Sequence, residues 1–139
     1  MYIVFDIGGT KTRVAMSMNG ESLSEPIIYE TPQNFELGML TLISKIKDLS
    51  GLNEIKGIAG GITGVWDKSG GFLICSPHLS GWVEKPIKES LEKEFDTKVF
   101  LKNDTAMAGL GEAIRGAGRG HSIVAYITVS TGIGGVRIL

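Results

Sequence analysis

Cysteine is nearly absent from this chain of 139 residues, with Cys75 alone. A single thiol excludes an internal disulfide and any cysteine-based zinc centre within the chain. It agrees with a reducing compartment, and a cytoplasmic location is the expectation. An excess of either charge is also missing: 14 Lys and Arg against 15 Asp and Glu give a net charge of −1. That balance offers no electrostatic case for nucleic acid or an anionic membrane, and neither partner is expected. No apolar run approaches the roughly 18 residues of a membrane span, and Met1 leads into a strand pattern rather than a basic leader. What is present is globular, with 42% hydrophobic and 21% charged residues, enough for one ordinary domain or one domain and part of another. Glycine is plentiful, 20 of 139 residues, about twice the usual share of roughly 7%. Most glycines fall at turns, which suggests a backbone built to approach ligands.

The first fourteen residues organise the rest. Tyr2 to Phe5 is a β-branched and aromatic run that reads as a buried strand. Thr12 to Met16 reads as a second strand, so Gly8-Gly9 sits where the hairpin turns, at positions where positive φ and close approach favour glycine. The N–H groups there, with the Thr10 and Thr12 hydroxyls and the Lys11 ammonium, make a concavity for anionic oxygens. Asp6 adds a carboxylate able to hold hydrated Mg²⁺ beside them. The alternative is a plain Gly-Gly hairpin capped by Asp6; the convergence of Asp, Lys and two Thr on one turn favours phosphate.

Further along, Ser22 to Glu30 reads as a third strand completing a meander. Phe35 to Leu49 follows helical spacing, with Met39, Leu42, Ile43, Ile46 and Leu49 on one face and Gly51 ending it. Lys56 to Ile62 reads as a buried parallel strand. Gly60 and Gly61 lie at its carboxyl end, where ligands gather in open α/β sheets; close helix packing would explain them equally well. Asp67 to Gly71 is a turn before a short strand, Phe72 to Cys75. Ser76 to Trp82, with His78, is an irregular loop of the kind that holds substrate, although a lone His there is by default a surface residue. Val83 to Phe95 is expected as a helix and Lys98 to Leu101 as a strand. Asn103-Asp104 then opens a helix to Arg115 with Met107, Leu110 and Ile114 inward. Asp104 reads either as a cap or as a carboxylate on the rim of Gly8-Gly9, and the two roles are compatible. Gly116-Ala-Gly-Arg-Gly120 is a flexible joint, taken as a domain boundary. Beyond it, Tyr126 to Val129 and Ser130-Thr131-Gly132-Ile-Gly-Gly135 echo Tyr2 to Phe5 and Asp6-Ile-Gly-Gly9.

Taken together, Asp6-Ile-Gly-Gly-Thr-Lys-Thr12, Leu101-Lys-Asn103-Asp104 with Gly111-Glu-Ala113, Gly116 to Gly120 and Ser130 to Gly135 resemble the ROK family of repressors, open-reading-frame proteins and sugar kinases. The resemblance spans all 139 residues. It implies an α/β fold of the ribonuclease-H-like, actin-like ATPase type: a mixed five-stranded sheet flanked by helices over 1–118. Residues 119–139 would begin a second domain that is cut short. ATP and Mg²⁺ would then be held by Asp6, Gly8, Gly9, Thr10, Lys11 and Thr12 on one side and by Thr131 and Gly132 on the other. Asn103 and Asp104 match the sugar-binding pair, with Asp104 as base, and Gly61 and His78 fall in the sugar-side loops. Departures are His78 where Asn is usual, and Thr63 and Val65 where prolines are common. The family's Glu-x-Gly-His segment and zinc loop would follow residue 139, so any structural Zn²⁺ belongs there and the chain is expected to be an N-terminal half, inactive alone.

The implied activity is phosphorylation of a hexose or N-acyl-hexosamine, with glucose the default. A sugar-sensing repressor is the rival, but it would carry a helix-turn-helix ahead of Tyr2. Another actin-like small-molecule kinase is a third reading. Open strand edges on the cut hairpin predict a homo-oligomer.

Overall fold

Strand β1, Tyr2–Ile7, alternates buried Ile3, Phe5 and Ile7 with half-buried Val4 and Asp6, the period-two pattern of a strand between unlike faces. It lies at the centre of a five-stranded sheet in the computed structural model, which describes residues 1–129 and 133–139. On one side β1 pairs antiparallel with β2, Lys11–Ser17, which pairs with β3, Ile27–Glu30. On the other it pairs parallel with β4, Gly57–Ile62, and β4 with β7, Val99–Lys102. The order is therefore β3-β2-β1-β4-β7. The carboxyl ends of the three parallel strands share a rim with the β1–β2 turn. Along the chain between β4 and β7 comes a separate small antiparallel ribbon of β5, Val65–Trp66, and β6, Leu73–Cys75.

Helix α1, Phe35–Ser50, starts where the Asn34 side chain accepts the Leu37 N–H at 2.8 Å and ends at Gly51, whose N–H reaches the Lys47 carbonyl. It buries Phe35, Met39, Leu42 and Ile46 against Ile3, Phe5 and Ile7, while Ile43 and Leu49 pack at the margin. Trp82 completes this core. Its indole lies over Gly38, meets Phe35 edge-on at 5.4 Å, and donates from Nε1 to the Pro32 carbonyl at 3.0 Å.

Several boundaries differ from those expected. The third strand begins at Ile27 rather than Ser22. Ser24 exchanges two hydrogen bonds with Met16 through its own N–H and hydroxyl, and Pro26 has no N–H for a ladder. Helix α2 is Ile87–Phe95, not Val83 to Phe95, because Pro86 disfavours helical geometry at Lys85. In α3, Asp104–Arg115, the face expected to point inward does not: Leu110 and Ile114 are 36% and 56% exposed. The helix instead presses Gly109 onto Tyr126 and Val136 of a separate hairpin, β8 (Val124–Val129) and β9 (Ile133–Ile138). Space around Gly111 is open, so no close packing is made there. Among the described residues no helix is long and apolar enough to cross a membrane.

Candidate functional site

Register sets out the site. Asp6, the last polar residue of β1, stands opposite Arg13 on β2 and Gly61 on β4. The face bearing Asp6 is turned away from the core and lines a cleft of about 990 Å³ between the sheet and the α3–hairpin unit. Asp6, Gly8, Gly9, Thr10, Lys11, Gly61, His78, Asn103 and Asp104 all border it. Residues nearly a hundred positions apart thus meet on one rim.

Gly61 is where the two carboxyl residues approach. A Cβ there would lie 3.2 Å from the Asp104 Cα and 3.7 Å from Asp6 Oδ1, so a side chain at 61 would fill the space both border. Burial pushes the Asp6 carboxyl above its ordinary 3.8; Arg13 opposes the rise and the charge of Asp104 adds to it. Arg13 Nη1 donates to Asp6 Oδ2 at 3.3 Å.

At the start of α3 the cap is Asn103, not Asp104. Asn103 Oδ1 accepts the Ala106 N–H at 3.2 Å, and its Nδ2 donates to the Gly64 carbonyl at 2.9 Å, tying the loop after β4 to the helix. Asp104 is the first helical residue, and its Oδ1 accepts the Thr105 N–H at 2.7 Å. The asparagine therefore sets the helix start, and the neighbouring carboxylate is left facing the cleft.

The β1–β2 turn differs in detail from its expected form. Neither Gly8 nor Gly9 has positive φ. Close approach explains Gly9, because His78 packs against it where a Cβ would stand. The Gly8 N–H is spent on the Lys11 carbonyl at 3.0 Å, so it is not a bare amide. Thr12 does not reach the cleft: it is 1% exposed and its hydroxyl meets that of Thr31 at 2.9 Å. Strand alternation explains this, since Thr12 shares the inward parity of Val14 while Lys11 and Arg13 face out. Thr131 and Gly132 lie outside the described residues, while their neighbours Ile133 and Gly134 border the cleft. Sequence reasoning did not single out Arg13, Thr105, Tyr126 or Thr128, which also line it. For Arg13 the signal was available in the same alternation.

Arranged in this way, the cleft is bordered by the Gly8–Lys11 turn, by the Lys11 and Arg13 cations and by two carboxylates beside the bare Gly61, a set of groups suited to holding phosphates next to a hydroxyl acceptor.

Known proteins resemble this chain in sequence and in fold. Residues 2–139 match the ROK family model. A glucokinase of Halalkalibacterium halodurans is 33% identical over 144 residues, covering 96% of this chain and 42% of that protein. An N-acetylmannosamine kinase of Haemophilus influenzae is 31% identical over 138 residues, covering 99% and 45%. The crystal structure of a ROK family glucokinase from Streptomyces griseus, in complex with glucose and AMPPNP, superposes with a TM-score of 0.87 at 28% identity, over 99% of this chain and 44% of that one. The chain spans less than half the length of these relatives. A family match running from the first strand to the last residue, on a sheet that superposes closely on a member's, means that this chain belongs to the ROK family and has the actin-like ATPase fold of its sugar kinases.

Proposed function

We propose that the full-length protein to which this chain belongs is an ATP-dependent sugar kinase that phosphorylates a hexose or N-acyl-hexosamine hydroxyl. The observation that carries the reading is the meeting of Asp6 and Asp104 over Gly61, with the Gly8–Lys11 turn on the same rim. Glucokinase and N-acetylmannosamine kinase relatives support the substrate class.

Phosphoryl transfer needs alignment and charge neutralisation more than covalent help. Asp104 is the base: it takes the proton from the sugar hydroxyl as that oxygen bonds to the transferred phosphorus and ADP leaves. The Thr105 N–H holds its carboxylate in place. Asn103, fixed by its bonds to Ala106 and Gly64, retains one amide proton and one lone pair for the sugar. Gly61 and His78 shape the sugar side, and Thr10 and Lys11 face the phosphates.

The donor set suits Mg²⁺. Among the described residues no cluster of three His, Cys, Asp or Glu could cage a metal. Mg²⁺ instead keeps waters and takes one or two carboxylates with substrate phosphates, and the half-buried Asp6 beside Asp104 provides that. Bound there, the ion would offset phosphate charge. Thr131 and Gly132 are assigned to the phosphates by the resemblance alone. We read residues 1–118 as one lobe and the β8–β9 hairpin as the opening of the second, with the cleft as their seam. The exposed side of that hairpin supports self-association, and a cytoplasmic setting fits the substrates.

A sugar panel with ATP, followed by coupled ADP release on the full-length protein, tests the proposal. Turnover with glucose or N-acetylmannosamine is expected, and little or none from the 139 residues alone. Absence of turnover with every hexose and hexosamine would refute it.

A further inference from the structure

Two consecutive peptide groups of the β1–β2 turn have their carbonyls held from one side by a short segment remote in sequence. The Thr31 hydroxyl donates to the Gly8 carbonyl at 2.8 Å, and Gln33 Nε2 donates to the Gly9 carbonyl at 2.9 Å. The Thr31 N–H adds a third bond, to the Thr10 carbonyl at 2.9 Å. A threonine hydroxyl has one proton. Because that of Thr31 is spent on Gly8, its 2.9 Å contact with Thr12 must run the other way, with Thr12 donating. Both hydroxyls are buried, Thr31 at 7% exposure. The segment is in turn anchored to the core by Trp82, which donates to the Pro32 carbonyl.

The peptide group is planar and trans, so each carbonyl fixes the opposite direction of the following N–H. Holding the Gly8 and Gly9 carbonyls toward Thr31 and Gln33 points the Gly9 and Thr10 N–H groups the other way. Both residues line the cleft. Among the described residues neither N–H has an acceptor, unlike that of Gly8. A turn with two parallel, unspent amides is a binding concavity for anionic oxygens only while its peptide planes stay fixed.

We propose that Thr31 and Gln33 are positioning residues for nucleotide, which hold the Gly9 and Thr10 amides aimed at its phosphates without touching them. The proposal rests on the sugar kinase reading of the cleft. It also gives Thr12 a part: its hydroxyl supports Thr31 instead of meeting the ligand.

The test uses the full-length protein, with calorimetric binding of Mg²⁺–AMPPNP and of sugar measured separately. Thr31→Val keeps the shape and removes both hydroxyl bonds, and is expected to weaken nucleotide about tenfold. Sugar affinity should stay within about twofold, and Thr31→Ser should restore nucleotide binding. Gln33→Leu, at an exposed side chain, should show the same selective loss and serves if Thr31→Val fails to fold. Unchanged nucleotide affinity in folded variants, or equal loss of nucleotide and sugar, would overturn the positioning role. A wild-type protein that binds no nucleotide would instead refute the kinase reading.

Discussion

Arg13 reaches Asp6 across the β1–β2 ladder, Nη1 to Oδ2 at 3.3 Å, with both side chains about half exposed at 52% and 47%. An ion pair so open contributes little to stability, about 0–1 kcal/mol. Its effect is local: it opposes the rise that burial and Asp104 impose on the Asp6 carboxyl. Arg13→Met should therefore raise the Asp6 pKa further, as read by carboxyl carbon NMR across the acid range. An unmoved titration would show that the pair has no electrostatic effect in solution.

The same shift has a consequence for stability. Because the folded pKa lies above 3.8, the folded chain keeps a proton that the unfolded chain gives up. Stability from this group is fully present below 3.8 and is lost as pH rises through the folded value. Asp6→Asn should thus raise the Tm at neutral pH, with the gain fading below 3.8. A Tm gain independent of pH would contradict this origin.

Asp67 runs in the opposite direction. The Ser69 hydroxyl first, then the backbone N–H groups of Phe72, Ser69 and Gly71, hold its carboxyl down to about 2. Its contribution is present above 3.8 and is lost as pH falls toward 2. Asp67→Asn should flatten that part of the acid-unfolding curve, followed by circular dichroism.

Asp104→Asn in the full-length protein should lower kcat by about 100- to 10,000-fold while sugar affinity by calorimetry changes by about threefold or less. Near-normal turnover would remove Asp104 from the role of base.

Trp82 closes a loop that otherwise borders the cleft, yet it is a core residue at 1% exposure. Trp82→Ala should cost about 3–5 kcal/mol, a large part of a total near 5–15 kcal/mol. Urea unfolding measures this directly; a loss below about 1 kcal/mol would show that the pocket over Gly38 refills.

Much of this was legible in the residues. Ile3-Val4-Phe5 and the β4 run mark strands, and the spacing of Met39, Leu42, Ile43, Ile46 and Leu49 marks α1. The carboxylates of Asp6 and Asp104 could be placed on one rim because both follow strand patterns. Three things escaped. Leu110 and Ile114 suggested a buried face, but α3 is wedged between β4 and a hairpin, where the small Gly109 makes the contact. The chemistry of the Thr12 hydroxyl suggests a ligand contact, although its parity with Val14 turns it inward. The Gly8-Gly9 pattern suggests bare amides at both glycines, but the Gly8 N–H closes the turn and the Gly9 N–H stays unspent; the orientation of these peptides depends on Thr31 and Gln33, 23 and 24 residues on in the chain, and no local pattern reports that.

Strand β7 pairs with β4 alone and closes the sheet's edge, and it carries Asn103 and Asp104 at its exit. During synthesis, Asp6 emerges early and its acidic neighbour late, after both helices that cover the opposite face. The nascent chain can therefore complete the β1–β2 turn long before the second carboxylate of the cleft is in place, and the two acidic groups meet only when the last parallel strand docks.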